Sequence, residues 1–80
     1  MTNKELIIDC LIQDDEPFTQ IVEFFKVIDV SISVFEIKKL LVEMINEGYV
    51  AINHAWKNEH DEYPYTLTDK GRKAWVTFDR

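Results

Sequence analysis

One stretch, Ser33 to Val50, constrains the fold of this chain most strongly, because a helix signal there runs directly into a strand signal. Ser33 followed by Glu36 has the spacing of a capping box, in which the serine oxygen accepts an amide of the first helical turn and the glutamate reaches back. Apolar residues then recur every three or four positions, which predicts one buried stripe. The stripe consists of Val34, Ile37, Leu40, Leu41, Met44 and Ile45. Gly48 supplies the left-handed residue that ends many helices, and the residues after it favour a strand.

The size and composition of the chain indicate a single domain. Its 80 residues, 46% hydrophobic and 30% charged, are close to the smallest number that can form one core without disulfides or metal. We therefore expect residues 1–80 to form one domain. No apolar run reaches the length of a membrane span, and the N-terminus lacks a secretory pattern, so we expect a cytoplasmic protein. Cys10 is the only cysteine and is expected to be a small buried hydrophobe.

The N-terminal segment predicts a first helix. Thr2 followed by Glu5 repeats the capping-box spacing. One face of this helix carries Leu6, Ile7, Cys10 and Leu11. Ile8 and Ile12 lie away from that face, so the helix has more apolar surface than one neighbour covers. We therefore expect it either to be central in the fold or to meet a partner.

A second helix is predicted after an acidic break. Asp14 to Pro17 interrupts the first pattern, because the residue before a proline disfavours helical geometry. Thr19 is placed to cap a helix from Gln20 to about Val27. Its apolar face contains Ile21, Val22 and Phe25, and Phe24 and Val27 widen it. A short turn then leads to the helix that begins after Ser33, so three helices precede the strand signal.

The remainder of the chain predicts a hairpin followed by a fourth helix. Residues 49–57 alternate in the manner of a strand, residues 58–62 form a polar loop, and residues 63–67 form a return strand in which Pro64 suits a sheet edge. Thr68 and Asp69 are placed to cap the last helix. That helix carries Ala74, Trp75 and Phe78 on its apolar side.

This order predicts an α+β fold, mostly α: a three-helix bundle, a β-hairpin and a C-terminal helix. Two sequence motifs sharpen the prediction. LLVEMINEGYV, residues 40–50, resembles the end of the third helix and the start of the hairpin, called the wing, in MarR- and PadR-like bacterial regulators. YTLTDKGRKAW, residues 65–75, resembles the return strand of that wing and the helix after it. The sequence is therefore similar to a winged helix-turn-helix domain over nearly its whole length.

The resemblance implies a transcriptional regulator that binds double-stranded DNA, with the third helix in the major groove and the wing at phosphates or the minor groove. Serines near the helix start and the lysines would contact phosphates, and Asn46 would read adenine if it reached a base edge. The DNA-contact candidates are Ser31, Ser33, Lys38, Lys39, Asn46, Lys70, Arg72 and Lys73. The positive charges of Lys70, Arg72 and Lys73 would equally serve to offset charge at helix ends. A homodimer through the first and last helices would supply a second DNA-contacting helix.

The charge of the chain departs from this resemblance. Its net charge is −6, with a pI near 4.7, and the predicted wing tip has Glu59, Asp61 and Glu62 against only Lys57. Carboxylates beside phosphates are repulsive. The alternative is a winged-helix module that binds a protein and not DNA, through exposed apolar residues. The candidates for that surface are Phe35, Val42, Ile8, Ile12 and Phe24.

Catalysis and metal binding are not predicted. The possible ligands Cys10, His54, Glu59, His60 and Asp61 have no recognised metal spacing. No nucleophile stands near a histidine in a known local motif, and the chain has no glycine-rich phosphate loop. We therefore expect no enzyme activity and no cofactor.

Overall fold

The computed structural model describes residues 1–78 and contains four helices and one two-stranded antiparallel sheet within that range. The elements are α1 (Asn3–Leu11), α2 (Phe18–Val27), α3 (Val34–Asn46), β1 (Val50–Ile52), β2 (Tyr65–Leu67) and α4 (Asp69–Phe78). The predicted fold class and element order are confirmed. None of these helices is long and apolar enough to cross a membrane.

Three of the four predicted helix starts are confirmed, those at Thr2, Ser33 and Thr68. Thr2 Oγ1 accepts the Glu5 amide at 3.2 Å while the Glu5 carboxylate accepts the Thr2 amide at 2.7 Å, which completes a capping box. Ser33 Oγ accepts the Glu36 amide at 3.0 Å. The predicted Thr19 cap is wrong, because α2 begins at Phe18, two residues before the predicted Gln20, and Thr19 Oγ1 donates instead to the Glu62 carboxylate at 2.9 Å.

The core forms around α1, which contacts α2, α3, α4 and β2. Its buried residues are Ile7, Ile8, Leu11, Ile21, Phe25, Ile37, Leu40, Leu41, Met44, Val50, Tyr65 and Leu67. Ile8 is only 4% exposed, and Ile12 packs half-buried against the same cluster. The predicted apolar surplus of the first helix is therefore used inside the domain, since four neighbours cover it.

Two valines assigned to apolar helix faces lie on the surface. Val34 is 53% exposed and Val27 is 76% exposed. Val27 is the last residue of α2 and Val34 the first residue of α3. Both flank the turn between the helices, where the periodic pattern continues but the core does not.

The wing has shorter strands than predicted. Val50 pairs with Leu67 and Ile52 with Tyr65, and regular pairing ends there. Beyond it, Asn53 Oδ1 accepts the Ala55 amide at 2.9 Å, and Asn58 Oδ1 accepts the amides of residues 60 and 62 at 3.0 and 2.8 Å. Asparagine side chains that bond nearby amides compete with a strand ladder. The alternation over residues 49–57 therefore overstated the strand.

A further pairing at β2 was not predicted. The backbone of Glu16 pairs with Tyr65 in both directions, at 3.1 and 2.8 Å. The acidic segment before α2 thus runs along the free edge of β2. This pairing connects the α1–α2 loop to the wing and satisfies backbone groups that an edge strand would expose.

The turn after α3 and the start of α4 are bonded together. Gly48 has a φ of +86°, which confirms the predicted left-handed helix end. Thr68 Oγ1 donates to the Gly48 carbonyl oxygen and accepts the Gly71 amide at 3.1 Å. The predicted cap at Thr68 is therefore confirmed, and the same hydroxyl fixes α4 against the C-terminal end of α3.

Candidate nucleic-acid interface

The side of α3 opposite the core forms a continuous exposed stripe. Phe35, Lys39, Val42 and Asn46 follow one another at spacings of four, three and four residues, so they share a face. Phe35 is 79% exposed and Val42 is 49% exposed. The stripe therefore combines two apolar side chains with one ammonium and one amide.

A shallow groove of about 370 Å³ lies along this stripe, bordered by Phe35, Lys38, Lys39, Val42 and Glu43. Its one carboxylate is partly neutralised, because the ammonium of Lys4 lies 3.4 Å from Glu43. Lys39 has no ion pair or side-chain hydrogen bond within residues 1–78. The groove is therefore apolar along its length, with an available positive charge at its side.

Lys38 connects α3 to α2 and the wing. Its Nζ donates to the Tyr65 hydroxyl at 2.8 Å and lies 5.0 Å from the centroid of the Phe18 ring. An ammonium has three donors, so two remain for other acceptors. Lys38 therefore holds a positive charge at a fixed place beside the N-terminal half of α3.

The N-terminus of α3 carries the two serine candidates. Ser33 and Ser31 are both exposed, and the Ser33 oxygen is occupied by the Glu36 amide. A hydroxyl that accepts in this way still has its own proton to donate. The first amides of a helix lack intrahelical partners and carry the positive end of the helix dipole. This end of α3 therefore suits an anion.

Two further DNA-contact candidates lie near the other end of α3. Lys70 Nζ donates to the Glu47 carbonyl oxygen at 2.7 Å and lies 4.5 Å from the centroid of the Tyr49 ring, so it caps the C-terminus of α3. Asn46 is the last residue of that helix. Thirteen residues of α helix span about 20 Å. Asn46 and Lys70 therefore lie at the opposite end of α3 from Ser31 and Ser33.

Arg72 and Lys73 are the other two candidates. Both are exposed on α4, and neither side chain has an ion pair or hydrogen bond to another of residues 1–78. They differ in this from Lys70, whose ammonium is used inside the domain. The sequence left two roles open for Lys70, Arg72 and Lys73: contact with DNA phosphates, or offsetting charge at a helix end. Lys70 is placed at a helix end, whereas Arg72 and Lys73 have guanidinium and ammonium groups available for a ligand.

The wing tip is acidic, and its lysine is already paired. Lys57 Nζ lies 2.8 Å from the Asp61 carboxylate and 4.8 Å from the centroid of the Tyr63 ring. Hydrogen bonds from Asn58 and Thr19 lower the pKa of Glu62, so this carboxyl stays ionised. The tip therefore presents negative charge without a free cation to attract phosphate.

A second groove, of about 620 Å³, lies between the loop before α2 and the wing loop. Its carboxylates are Asp14, Asp15, Glu16, Glu23 and Glu59. Burial, together with the charges of the two neighbouring aspartates, raises the pKa of Glu16. Sequence reasoning missed this groove because its two sides are some forty residues apart in the chain. This side of the molecule repels phosphate.

The candidates for a protein-binding surface are divided by burial. Ile8 belongs to the core, Ile12 packs against it, and Phe24 is half-buried with its ring edge-on to Phe25 at 5.8 Å between centroids. Only Phe35 and Val42 are well exposed. Ile8 is therefore not available to a partner, whereas Ile12 and Phe24 are partly covered and their role in binding stays a prediction.

Residues 1–78 contain no cluster of three or more His, Cys, Asp or Glu side chains arranged to hold a metal ion. Cys10 is half-buried, and desolvation, helped by the charges of Glu16 and Asp9, raises its pKa to about 12. A thiol with that pKa is protonated at neutral pH and is a poor nucleophile. Cys10 packs against the core, as expected for a small apolar side chain.

No protein-family model matches the chain, and no curated protein matches it. Two solved structures are similar in fold. Bacillus subtilis PadR, solved in complex with operator DNA, aligns over 94% of this chain with a TM-score of 0.78 and 23% identity. This chain is a winged helix. A structure described as the complex of hsRosR-S4 aligns over 96% of the chain with a TM-score of 0.77 and 19% identity.

At these identities the likeness shows the fold alone. The winged helix described here spans 44% of the length of the PadR chain and 66% of the RosR-S4 chain. Within this fold α3 is the third helix, and residues 50–67 form the wing. In this chain the exposed face of α3 is apolar and basic, and the wing beside it is acidic.

Proposed function

We propose that this winged helix is the DNA-binding domain of a transcription regulator and that it places α3 in the major groove. The exposed stripe of α3 carries the proposal, because a helix that turns Phe35, Lys39 and Val42 outward without an intramolecular cover presents a surface for a ligand. The fold shared with PadR, which was solved with operator DNA, supports double-stranded DNA as that ligand.

Phosphate contacts would come from few residues. Lys39, two free donors of Lys38 and the amides at the start of α3 lie in the first half of the helix, the part that helix-turn-helix domains bring to DNA. Arg72 and Lys73 would meet a flanking phosphate only if the DNA also reaches α4. We therefore propose weak binding that depends on α3 more than on the wing.

The acidic wing sets the orientation of this complex. Carboxylates near phosphates lose affinity, and the wing tip and the groove behind it carry most of the local negative charge. A duplex would approach along α3, and the wing tip would contact it only weakly while its carboxylates are present. As a DNA-binding regulator, the domain would work in the cytoplasm.

Fluorescence polarisation with a labelled random duplex at low salt tests the proposal. Wild-type protein should bind, and the affinity should fall as salt rises. Lys39→Ala should weaken binding to all sequences and reduce the slope of log K against log salt by about one unit. Lys26→Ala removes the same charge from α2, outside the α3 groove, and should change neither quantity. Absence of any complex at low salt would overturn the proposal.

A second candidate function is supported by the charge of the molecule. The net charge of −6 and the acidic groove favour a protein partner that covers Phe35 and Val42. In that case Phe35→Asp would abolish capture of the partner, whereas Val27→Asp, at an equally exposed site on α2, would leave it intact. Unchanged capture by Phe35→Asp would exclude α3 as the binding face.

Homodimerisation is a separate prediction. A second copy would double the number of helices that reach DNA, as in two-fold symmetric regulators. α1 is central and largely covered, so a dimer would depend on the outer side of α4. Sedimentation equilibrium over a range of protein concentrations tests this, and a constant monomer mass would contradict it.

A further inference from the structure

We propose that Phe35 reads the C5-methyl group of thymine in the major groove, which would make the domain selective for duplexes with thymine opposite the N-terminal turn of α3. This inference rests on the proposed function and assigns one of its specificity-determining residues. It commits the exposed apolar stripe of α3 to a single occupant, a DNA duplex that carries methyl groups on its major-groove edge.

The position of Phe35 is the first argument. It is the second residue of α3, and its side chain is 79% exposed, although a phenylalanine ring is among the side chains that gain most from burial. Residues at the start of the recognition helix are those that reach base edges in helix-turn-helix complexes. The ring therefore lies where a base contact is made and has no cover in the domain.

The groove continues the same surface along α3. Val42 lies seven residues after Phe35, about 10 Å along the helix axis, which corresponds to about three base pairs. Phe35 and Val42 line the groove together with Lys38, Lys39 and Glu43, and nearly all of its lining surface is apolar. A ligand that fits must therefore combine apolar groups with negative charge that the two ammonium groups can reach.

The major groove of a duplex has that arrangement. The thymine methyl is the one apolar group that base pairs present there, and apolar side chains such as phenylalanine contact it. Phosphates line both sides and would meet Lys38 and Lys39, while the carboxylate of Glu43 is partly neutralised by Lys4 at 3.4 Å. α3 also contains no arginine, the residue that most often reads guanine. Its chemistry thus favours thymine.

The size of the effect follows from the burial of one methyl group. Removing a methyl from water changes an equilibrium constant by about fourfold. A duplex that contains deoxyuridine in place of thymidine keeps the same base pairing and lacks only that methyl. Wild-type protein should therefore bind an alternating A·T duplex about fourfold more tightly than the matching A·U duplex for each methyl contacted.

Polarisation competition with these two duplexes at low salt is the first measurement. Phe35→Ala should bring the ratio of the two affinities to about one while it retains salt-dependent binding to both. Val27→Ala truncates an equally exposed apolar residue on α2 and should preserve the wild-type ratio. Circular dichroism should show the same helix content for all three proteins, since neither side chain is buried.

A second pair of duplexes separates the methyl group from the shape of A·T-rich DNA. An alternating G·C duplex with 5-methyldeoxycytidine carries a methyl at the same major-groove position as thymine. Wild-type protein should prefer it to the unmethylated G·C duplex, and Phe35→Ala should not. Equal affinity for methylated and unmethylated members of both pairs would overturn the inference and leave DNA binding itself intact.

Two further results would overturn the inference in different ways. Failure to bind any of the four duplexes would remove the proposed function together with it. A self-associating wild-type protein that Phe35→Asp converts to a monomer would show that a second copy, not a duplex, occupies the stripe. Sedimentation of both proteins without DNA makes that comparison.

Discussion

Gly71 is the residue whose missing side chain lets α4 lie against the turn after α3. A Cβ there would be 2.3 Å from the Tyr49 carbonyl oxygen and 3.1 Å from the Leu67 side chain. Gly48 differs, because a Cβ at that position would meet only the flexible Lys70 side chain, at 3.8 Å, and its constraint is the φ of +86°. One glycine is required for space and the other for backbone conformation.

Gly71→Ala is therefore expected to destabilise the domain, although alanine is the better helix former. Overpacking against a backbone oxygen costs about 1–3 kcal/mol, which lowers the melting temperature of a domain this size by roughly 4–8 °C per kcal/mol. Gly48→Asn is the control, because asparagine tolerates left-handed geometry and should be nearly neutral. Thermal unfolding measures both. A Gly71→Ala protein as stable as wild type would contradict the packing described here.

Cys10 allows a test of burial by chemistry. Desolvation raises the pKa of its thiol from 9.0 to about 12, so the folded protein keeps the thiol protonated over a range in which an unfolded chain ionises. At about pH 8 the folded protein should react with iodoacetamide roughly a thousandfold more slowly than the chain in urea, because the thiolate is the nucleophile and its fraction falls about tenfold for each pH unit below the pKa. The folded rate should still rise above pH 9, where the unfolded rate levels off. Equal rates in both states would show an accessible thiolate.

At the scale of elements, α3 and the wing are connected by one polar contact inside an aromatic cluster. Lys38 Nζ donates to the Tyr65 hydroxyl at 2.8 Å, and Tyr65 itself is only 5% exposed in β2. β2 is in turn paired on its other edge with Glu16. α3, the wing and the loop before α2 therefore form one connected unit.

Tyr65→Phe removes this hydrogen bond and retains the ring over which the ammonium lies. We expect a loss of about 0.5–1.5 kcal/mol in the free energy of unfolding, since a single hydrogen bond contributes that much. Tyr49→Phe is the matched control, because Tyr49 also lies under a lysine but its hydroxyl has no hydrogen bond to residues 1–78. Urea denaturation of the two variants should separate them. Equal losses would mean that the Lys38 contact contributes nothing to stability.

For the whole molecule, the distribution of charge over the surface says more about where an anionic ligand would bind than the net charge does. Fifteen acidic residues outnumber nine basic ones. Lys4, Lys57 and Lys70 are bound to carboxylates or carbonyls within the domain, whereas Lys39, Arg72 and Lys73 have no such partner among residues 1–78. The molecule thus has a negative side, formed by the wing loop and the segment before α2, and a basic side chain on the exposed face of α3.

The wing should become a better DNA contact when its anion is removed. Asp61 holds Lys57 at 2.8 Å and has a φ of +62°, which asparagine tolerates. Asp61→Asn should therefore release the Lys57 ammonium and increase affinity for a random duplex roughly fivefold, the equivalent of one charge contact in water. The double variant Asp61→Asn/Lys57→Gln should lose this gain. Polarisation at several salt concentrations measures both, and unchanged affinity in the single variant would show that the wing tip stays away from the duplex.

The sequence by itself determined the order of the elements and most of their ends. The caps at Thr2, Ser33 and Thr68 and the left-handed Gly48 were predictable, because each depends on groups three or fewer residues apart or on one residue's own backbone. The outward position of Phe35 and Val42 also followed from helical period alone. Local rules are sufficient where both partners of an interaction are local.

Only the tertiary structure decided which surfaces remained available. Ile8 is buried because four elements surround α1, and Thr19 bonds to Glu62, so it does not cap α2. The acidic groove exists because the segment before α2 and the wing loop meet in space. Burial and pairing of this kind depend on chain segments far apart in sequence, and periodicity within one segment contains no information about its distant neighbours.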